Sequence, residues 1–473
     1  MAQTGFYLAG GCIGRAGWSG HHAARQVRAV AFPGDIGIDK RRSRCRRMSN
    51  FFRHTLLKNV LSLSSVHAAN YFVPLLIFPY LVRVIGPAKF GEIAFAQAFV
   101  QYFILATDYG FSHTGAREVA LRKDSLEQVG RFVGEVVAVK STLFAGAIAV
   151  IGVLCLWVPP FNTVPELYLF TFGMVAAEIL FQHFFFQGIE EMKYIAWIGL
   201  SVRAASVVCI FLLITSTEHY LYVPLIYSTC YIIGGVAATW IMVRKLDGAF
   251  HLPDLSSLAK QFRRGLKVFG AGTAISFQNS SNVVILRAFA APEVVGLYAA
   301  AEKIVMALLA VLNPISTSLL PHIVRKAKES IGNAMKDVRL ALVLSTGGGV
   351  VLTLVLYLFA EPIARLMLGE GFSGSIVILQ ILAFIPAGYW IALLIGNLHF
   401  LAFGRYTTWS RLFTAISIGG VLVSLVFVGL EQSGEALAIS IVVRVYLAAL
   451  LVYALYRFDI PKVWNDHPGG RLA

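Results

Sequence analysis

Residues 132–156 read Phe-Val-Gly-Glu-Val-Val-Ala-Val-Lys-Ser-Thr-Leu-Phe-Ala-Gly-Ala-Ile-Ala-Val-Ile-Gly-Val-Leu-Cys-Leu. Only Glu135 and Lys140 are charged. The run carries no polar stripe, so a helix made from it would be apolar all round and must be surrounded by lipid or protein. At about 1.5 Å per residue it is long enough to cross a hydrocarbon layer of about 30 Å. Similar runs recur from residue 56 onward, separated by short breaks. They give twelve expected spans: 58–83, 91–112, 132–156, 166–187, 195–216, 221–243, 266–288, 294–320, 339–360, 375–400, 409–430 and 435–457. None shows the two-residue alternation of a membrane barrel. Helices satisfy their backbone groups internally, as the bilayer requires.

Composition agrees. Of 473 residues, 57% are hydrophobic and 14% charged, and mean hydropathy is +0.72. That charge content cannot cover a soluble surface of this size, which typically needs about 25%. Five cysteines exclude a disulfide scaffold, and Cys155, Cys209 and Cys230 lie inside apolar runs, where a thiol packs as a small hydrophobe. The fold class expected is all-α integral membrane.

The net charge of +15 is distributed by side. With the rim residues Arg83, Arg339 and Arg411 counted, the even-numbered loops hold 17 Lys+Arg and the odd-numbered loops 3. The positive-inside rule then places both termini in the cytoplasm, so the basic excess does not imply nucleic acid. Residues 1–47 carry nine Lys+Arg, two acids and eight glycines. They contain no spanning run and no convincing secretory signal. The expectation is a disordered basic leader, with the natural start at Met48. A transit peptide, or a basic segment Lys40–Arg47 holding anionic lipid, are the other readings.

Twelve spans divide as six and six. The expected units are an N-terminal lobe 48–243, a basic linker 244–265, a C-terminal lobe 266–457 and a tail 458–473. An internal repeat supports the division. Gly86-Pro87-Ala88-Lys89-Phe90-Gly91 follows the first span and Ala291-Pro292-Glu293-Val294-Val295-Gly296 follows the seventh. Pro87 and Gly91 match Pro292 and Gly296 at an offset of 205, with Arg83 and Arg287 just before. Halves of even span number share one orientation, so the repeat is parallel, about an axis along the membrane normal. Two six-helix bundles around a central cavity are expected.

Charges inside the spans point to function, because an intramembrane cation costs at least about 2.5–3.5 kcal/mol. Lys140, Arg203, Lys303 and Arg444 lie well inside spans, and Arg287 near the outer end of span seven. They suggest a water-filled cationic cavity suited to an anionic ligand such as a pyrophosphate or acidic sugar. Snorkelling and structural ion pairs are the competing explanations for each. Gln278, Asn279 and Asn282 form a polar patch in span seven that would face this cavity or another helix. Glu178 and Gln182 share a face of span four, beside His183. Asp108 and Arg117 are expected to pair across the turn after span two and close an inner gate. Phe181, Phe184, Phe185 and Phe186 read as interfacial anchors. His399 reads as a hydrogen-bonded helix residue, and no spacing makes a metal site.

Several of these stretches resemble one family. Leu57-Lys58-Asn59-Val60-Leu61-Ser62-Leu63, Pro79 through Gly91, Thr107-Asp108-Tyr109-Gly110-Phe111 with Ala116-Arg117-Glu118, and Val295 through Lys303 resemble bacterial polysaccharide (Wzx-type, O-antigen) flippases. These belong to the multidrug/oligosaccharidyl-lipid/polysaccharide (MOP) transporter superfamily. The resemblance covers about residues 55–457. It implies two lobes, alternating access, and carriage of undecaprenyl-pyrophosphate-linked oligosaccharide repeat units across the bacterial cytoplasmic (inner) membrane. It implies no cofactor, an ion gradient (proton or sodium) as driver, and membrane lipids as surroundings. Whether a polysaccharide polymerase and chain-length regulator work beside it stays open. The motif match carries over to Arg83, Asp108, Arg117 and Glu302, expected in gate or coupling roles, and to Lys303, expected in the cationic cavity; Glu178 joins the gate or coupling group by its burial alone. Asn282 stands near a position where many relatives carry an acid. A lipid II flippase or drug exporter is the nearest alternative. A membrane glycan polymerase or ligase is disfavoured by the short outer loops and the absence of hydrolase, metalloprotease or P-loop motifs.

The orientation can be checked with reporter fusions. Alkaline phosphatase joined at residue 163 should be active, and joined within 244–265 inactive. The opposite pattern would invert the topology.

Overall fold

The computed structural model describes residues 77–251, 253–254, 257–263, 265 and 274–465. Among them there is no strand. The expected leader 1–47 and most of span one lie outside the described residues. Nine helices of the described residues are long and apolar enough to cross a membrane. The expected count of twelve is therefore not reached within them. Spans seven and eight are nonetheless helical where described.

In chain order the helices are α1 (Ile77–Asp108), α2 (Phe111–Leu121), α3 (Leu126–Trp157), α4 (Pro165–Leu180), α5 (His183–Gly188), α6 (Met192–Leu213) and α7 (Tyr222–Leu246). The second half holds α8 (Ala274–Phe289), α9 (Pro292–Glu329), α10 (Ile331–Leu358), α11 (Ala360–Leu368), α12 (Ser375–Leu382), α13 (Ile385–Ile395), α14 (Tyr406–Glu431) and α15 (Gly434–Asn465). Local chemistry sets several starts. Ser125 accepts the backbone N–H of Gln128 at 3.4 Å and Glu127 sits in the first turn of α3, both favourable at a helix N-terminus. Pro165 and Pro292 occupy first-turn positions, where a missing N–H is no loss. The helix α9 continues for 38 residues through Pro314 and Pro321.

Packing is dense within each half. In the first, α4 lies on α7, and α7 on α6. In the second, α10 lies on α13, α14 on α8, and both α13 and α14 on α15. The largest apolar core draws on both halves, from Ile77, Phe90 and Phe172 to Tyr298, Leu379 and Leu437. A separate core under the short helices α2 and α5 holds Phe184, Phe185 and Phe186. These three rings are buried to 1% exposure or less, so they are core residues and not the interfacial anchors expected. The reason is local. The chain leaves α4 at Phe181 and turns into α5, which folds back on α2 and carries the rings inward.

The turn expected between spans one and two falls inside the continuous helix α1, where Gly86 interrupts the regular winding. Its φ of +74° lies in the left-handed region that glycine enters without a side-chain clash, and Pro87 follows. The second turn of the repeat begins at Pro292. The two turns meet. A β-carbon placed on Gly91 would fall on the carbonyl oxygen of Pro292, and one on Gly296 would fall on the carbonyl oxygen of Pro87. The contact is reciprocal, residue for repeat-related residue. Arg83 adds a second link: its guanidinium donates to the carbonyl of Leu366, and at 3.5 Å to that of Arg365. These are carbonyls at the C-terminal end of α11, where a cation is favoured.

Gly91→Ala and Gly296→Ala are each expected to lower the unfolding midpoint in detergent, by about 1–3 kcal/mol of overpacking. The double variant should cost less than the sum, because both push apart one contact. Gly347→Ala is the control: it is helical with nothing within 4 Å of its added carbon and should be neutral or stabilising.

Candidate functional site

Asp108 closes α1, and Ser112 one turn later donates to its Oδ2 from the hydroxyl at 2.6 Å and from the backbone at 3.4 Å. Lys140 reaches from α3 and donates to Oδ1 at 3.0 Å. Lys140 is only 2% exposed and Asp108 5%. The Phe184 ring lies 5.9 Å from the ammonium. Three donors and one charge therefore satisfy the carboxylate away from water, as a buried ion must be. This corrects two expectations. Lys140 is not an open cavity cation, because Asp108 neutralises it. Asp108 does not pair with Arg117, which is exposed on α2 and has no ion pair among the described residues. The cation on α3, 32 residues away in sequence, was the better placed partner because α3 buries its Lys140 face.

Around this pair lie other polar groups of the first half. Glu178 of α4 is half-buried and lies close enough to feel both Lys140 and Asp108. His183 stacks on Phe181 with ring centroids 3.9 Å apart. Arg203 on α6 is hydrogen-bonded to Tyr231 on α7, whose hydroxyl in turn feels Glu178. Lys140, Glu178 and Arg203 thus belong to one polar region, a grouping that the sequence placed on three separate helices.

The second half builds a different group. Glu302 on α9 accepts from the Tyr298 hydroxyl at 2.7 Å and from Asn282 Nδ2 at 3.3 Å. Asn282 is buried, with its own Oδ1 unpartnered among the described residues. Arg444 on α15 is 8% exposed and donates to Ser424 on α14 at 3.3 Å. It lies within electrostatic reach of Glu302 and Tyr298. Gln278 and the Arg444 stem both press on Gly420. Of the polar patch in α8, Gln278, Ser281 and Asn282 face protein, whereas Asn279 is exposed. Ser281 accepts from Tyr102 of α1 at 2.9 Å, which ties α8 to the first half.

Lys303 stands apart. It is the twelfth residue of α9, yet it is exposed. Its ammonium lies 5.3 Å from the Phe78 ring centroid and 5.4 Å from that of Phe90. Among the described residues no carboxylate pairs with it. Two aromatic faces attract a cation and leave its three donors available to an anion. Arg287 is half-buried, 6.0 Å from the Phe95 ring, and donates to the carbonyl of Ala290 at 3.4 Å. The cations are thus split between a neutralised group in the first half and a less neutralised group where the second half meets α1. Tyr298, Ser424, Phe78 and Phe90 were missed as site residues. Only Tyr298 carried a local signal, being one helical turn before Glu302. Among the described residues no group of His, Cys, Asp and Glu is arranged to hold a metal.

A family model described as "Polysaccharide biosynthesis protein" matches residues 56–327, more than half of the chain. The chain belongs to the polysaccharide biosynthesis protein family. Similar proteins include one named "Putative O-antigen transporter" in Escherichia coli (strain K12), 28% identical over 79% of this chain and 89% of that protein. A protein of the same name in Shigella dysenteriae is 23% identical over 78% of this chain and 91% of its own length. Among solved structures, an inward-facing multidrug resistance MATE family transporter of the MOP superfamily aligns over 85% of this chain and 95% of that one, with TM-score 0.67 at 13% identity. The lipid II flippase MurJ aligns over 85% and 89%, with TM-score 0.61 at 14% identity. The family member described here therefore shares the MOP-superfamily fold and is a multi-pass membrane protein.

The buried pair is testable. Lys140→Met should cost about 3–5 kcal/mol, because it leaves Asp108 buried without a counter-charge. Asp108→Leu combined with Lys140→Met should recover most of that loss. Thermal unfolding in detergent at matched expression would check it, and an unchanged midpoint in Lys140→Met would mean the pair is not desolvated.

Proposed function

We propose that the chain is a flippase. It moves undecaprenyl-pyrophosphate-linked oligosaccharide repeat units from the cytoplasmic to the periplasmic leaflet of the bacterial inner membrane, for O-antigen, capsule or exopolysaccharide synthesis. Both termini lie in the cytoplasm, and an ion gradient drives the cycle. A polymerase and a chain-length regulator take up the product. The observation that carries this reading is Lys303: an exposed cation on the long helix α9, set between two aromatic rings, with Glu302 near enough to act on its charge but no ion pair among the described residues. A pyrophosphate oxygen would replace the water that such an ammonium needs, and a charge-assisted hydrogen bond is the strong kind. Arg444 lies behind it in the same half. The names of the two sequence relatives support the substrate class.

Alternating access draws support from the repeat contact. Gly91 and Gly296 meet on the side expected to face the periplasm, and Arg83 closes on α11 beside them. A cavity of about 470 Å³ lined by Arg83, Pro87, Arg365 and Gly369 lies at that closure. Reopening on this side would require separating the two turns. An exporter of organic cations would want exposed carboxylates instead; Glu302 is held by Tyr298 and Asn282, and the exposed charge is Lys303.

Complementation of a flippase-null strain tests the reading. Wild type should restore surface polysaccharide and clear the accumulated lipid-linked intermediate. Lys303→Ala and Arg444→Ala should abolish both while still inserting in the membrane. Full export by both variants would remove the cationic mechanism.

A further inference from the structure

We propose that His399 and Asp459 form a proton-binding site at the end of the second half expected to face the cytoplasm, and that its occupancy changes with the transport cycle. The proposal rests on the transporter reading above and names the group that takes the coupling ion.

The site begins with an irregularity. After α13 the chain winds through a wider π-turn, Gly396–Leu401, a feature that inserts an extra residue and is common at functional sites. The turn is held open by packing. The Trp409 ring lies where a β-carbon of Gly396 would stand, and it stacks on Phe400 with centroids 5.6 Å apart. This winding aims Asn397 and His399 into protein. Asn397 Nδ2 donates to Ser316 of α9 at 2.7 Å. His399 is fully buried, at 0% exposure.

Its ring has one partner and one vacancy. His399 Nε2 lies 3.1 Å from Asp459 Oδ2. An ionised carboxylate can only accept, so Nε2 carries the hydrogen and Nδ1 holds a lone pair. Nδ1 is buried and has no hydrogen-bond partner among the described residues. Such an orphaned acceptor is uncommon in folded proteins and calls for an explanation. A proton supplies one. It passes from a hydronium ion, whose O–H bond breaks as the Nδ1–H bond forms and water is released, and the Nε2–H bond to Asp459 stays in place as an imidazolium–carboxylate pair.

The groups facing the ring are opposed. From α15 come the Asp459 carboxylate and the Tyr456 ring, edge-on at 4.8 Å. From the start of α14 comes Arg405, whose Nε lies 3.6 Å from Asp459 Oδ1. Its own turn offers the Phe400 and Phe403 rings. α9 presents Ser316 to Asn397, not to the histidine. Asp459 favours the charged ring, whereas burial and Arg405 disfavour it. A balance of this kind responds to small displacements, since charge effects are large where water is excluded. Any movement of α15 that changes the Asp459 or Arg405 distance would bind or release the proton. A route to water exists: the Asp459 side chain is 14% exposed and that of Arg405 30%.

Two measurements on the full-length protein separate this proposal from the transporter reading. The first is NMR of histidine-labelled protein in nanodiscs, with His399→Gln to identify the resonance. The His399 signal should shift as the pH is lowered, as a histidine gaining a proton does. Asp459→Asn should weaken its proton affinity about tenfold or more. A signal that does not titrate, or that ignores Asp459→Asn, overturns the site. The second uses proteoliposomes carrying lipid-linked oligosaccharide. A pH gradient should shift the wild-type distribution of glycan by up to about tenfold per pH unit for one coupled proton. His399→Gln and Asp459→Asn should each still equilibrate glycan without a gradient and lose that shift. Retention of the full shift in both variants overturns the coupling role. A wild type that titrates at His399 but moves no glycan would overturn the flippase reading while leaving the proton site standing.

Discussion

The two halves of this protein touch where they are most alike. In a bilayer, lipid tails satisfy an apolar helix as well as another helix does, so no hydrophobic force draws helices together. Association must come from close packing and from polar contacts. The turn beginning at Pro87 and the turn beginning at Pro292 achieve the closest packing available, backbone on backbone, because Gly91 and Gly296 carry no side chain. Each glycine makes room for the carbonyl of the proline that begins the other turn. The contact is one part of a wider junction: the main apolar core draws on both halves, Phe90 meets Phe372, and Tyr102 donates to Ser281.

Charge is handled differently on either side of the junction. Asp108 and Lys140 sequester each other, with Ser112 completing the carboxylate's bonds. The pair fixes α3 against the end of α1 and has nothing left over for a ligand. In the second half, Glu302 is occupied by a hydroxyl and an amide while Arg444 has a serine hydroxyl, and Lys303 has two ring faces and no ion pair among the described residues. Cationic capacity therefore remains where the second half meets the first.

How much of this was legible in the sequence depends on range. Span positions follow from hydropathy, because crossing the bilayer is a constraint on each segment alone. The repeat was legible for the same reason: Pro87, Gly91, Pro292 and Gly296 keep their spacing whatever they touch. That the two turns would meet was not, since nothing in a local pattern says which surfaces face. Asp108 illustrates the limit. Arg117 is the nearer cation in sequence and Lys140 the nearer in space. The phenylalanines after Phe181 were misread because the break between α4 and α5 redirects them, and that break depends on packing against α2. Asp459 went unnoticed because it lies past the apolar run, in a stretch that reads as tail.

These features share a logic. A membrane transporter cannot store its mechanism in a large polar core, because each unsatisfied group in the bilayer is costly. It can keep a few charges and arrange that their satisfaction depends on geometry. Asp108 is satisfied rigidly, by groups within its own half. Lys303 and His399 are satisfied incompletely: one makes no ion pair and the other has a lone pair without a donor among the described residues. Lys303 lies against the rings of α1, and His399 depends on α15, which packs against α13 and α14. A group left incompletely satisfied in a water-poor setting is costly, so its persistence in a fold otherwise so closely packed, down to backbone on backbone at Gly91 and Gly296, marks it as a place where the sequence gives up stability.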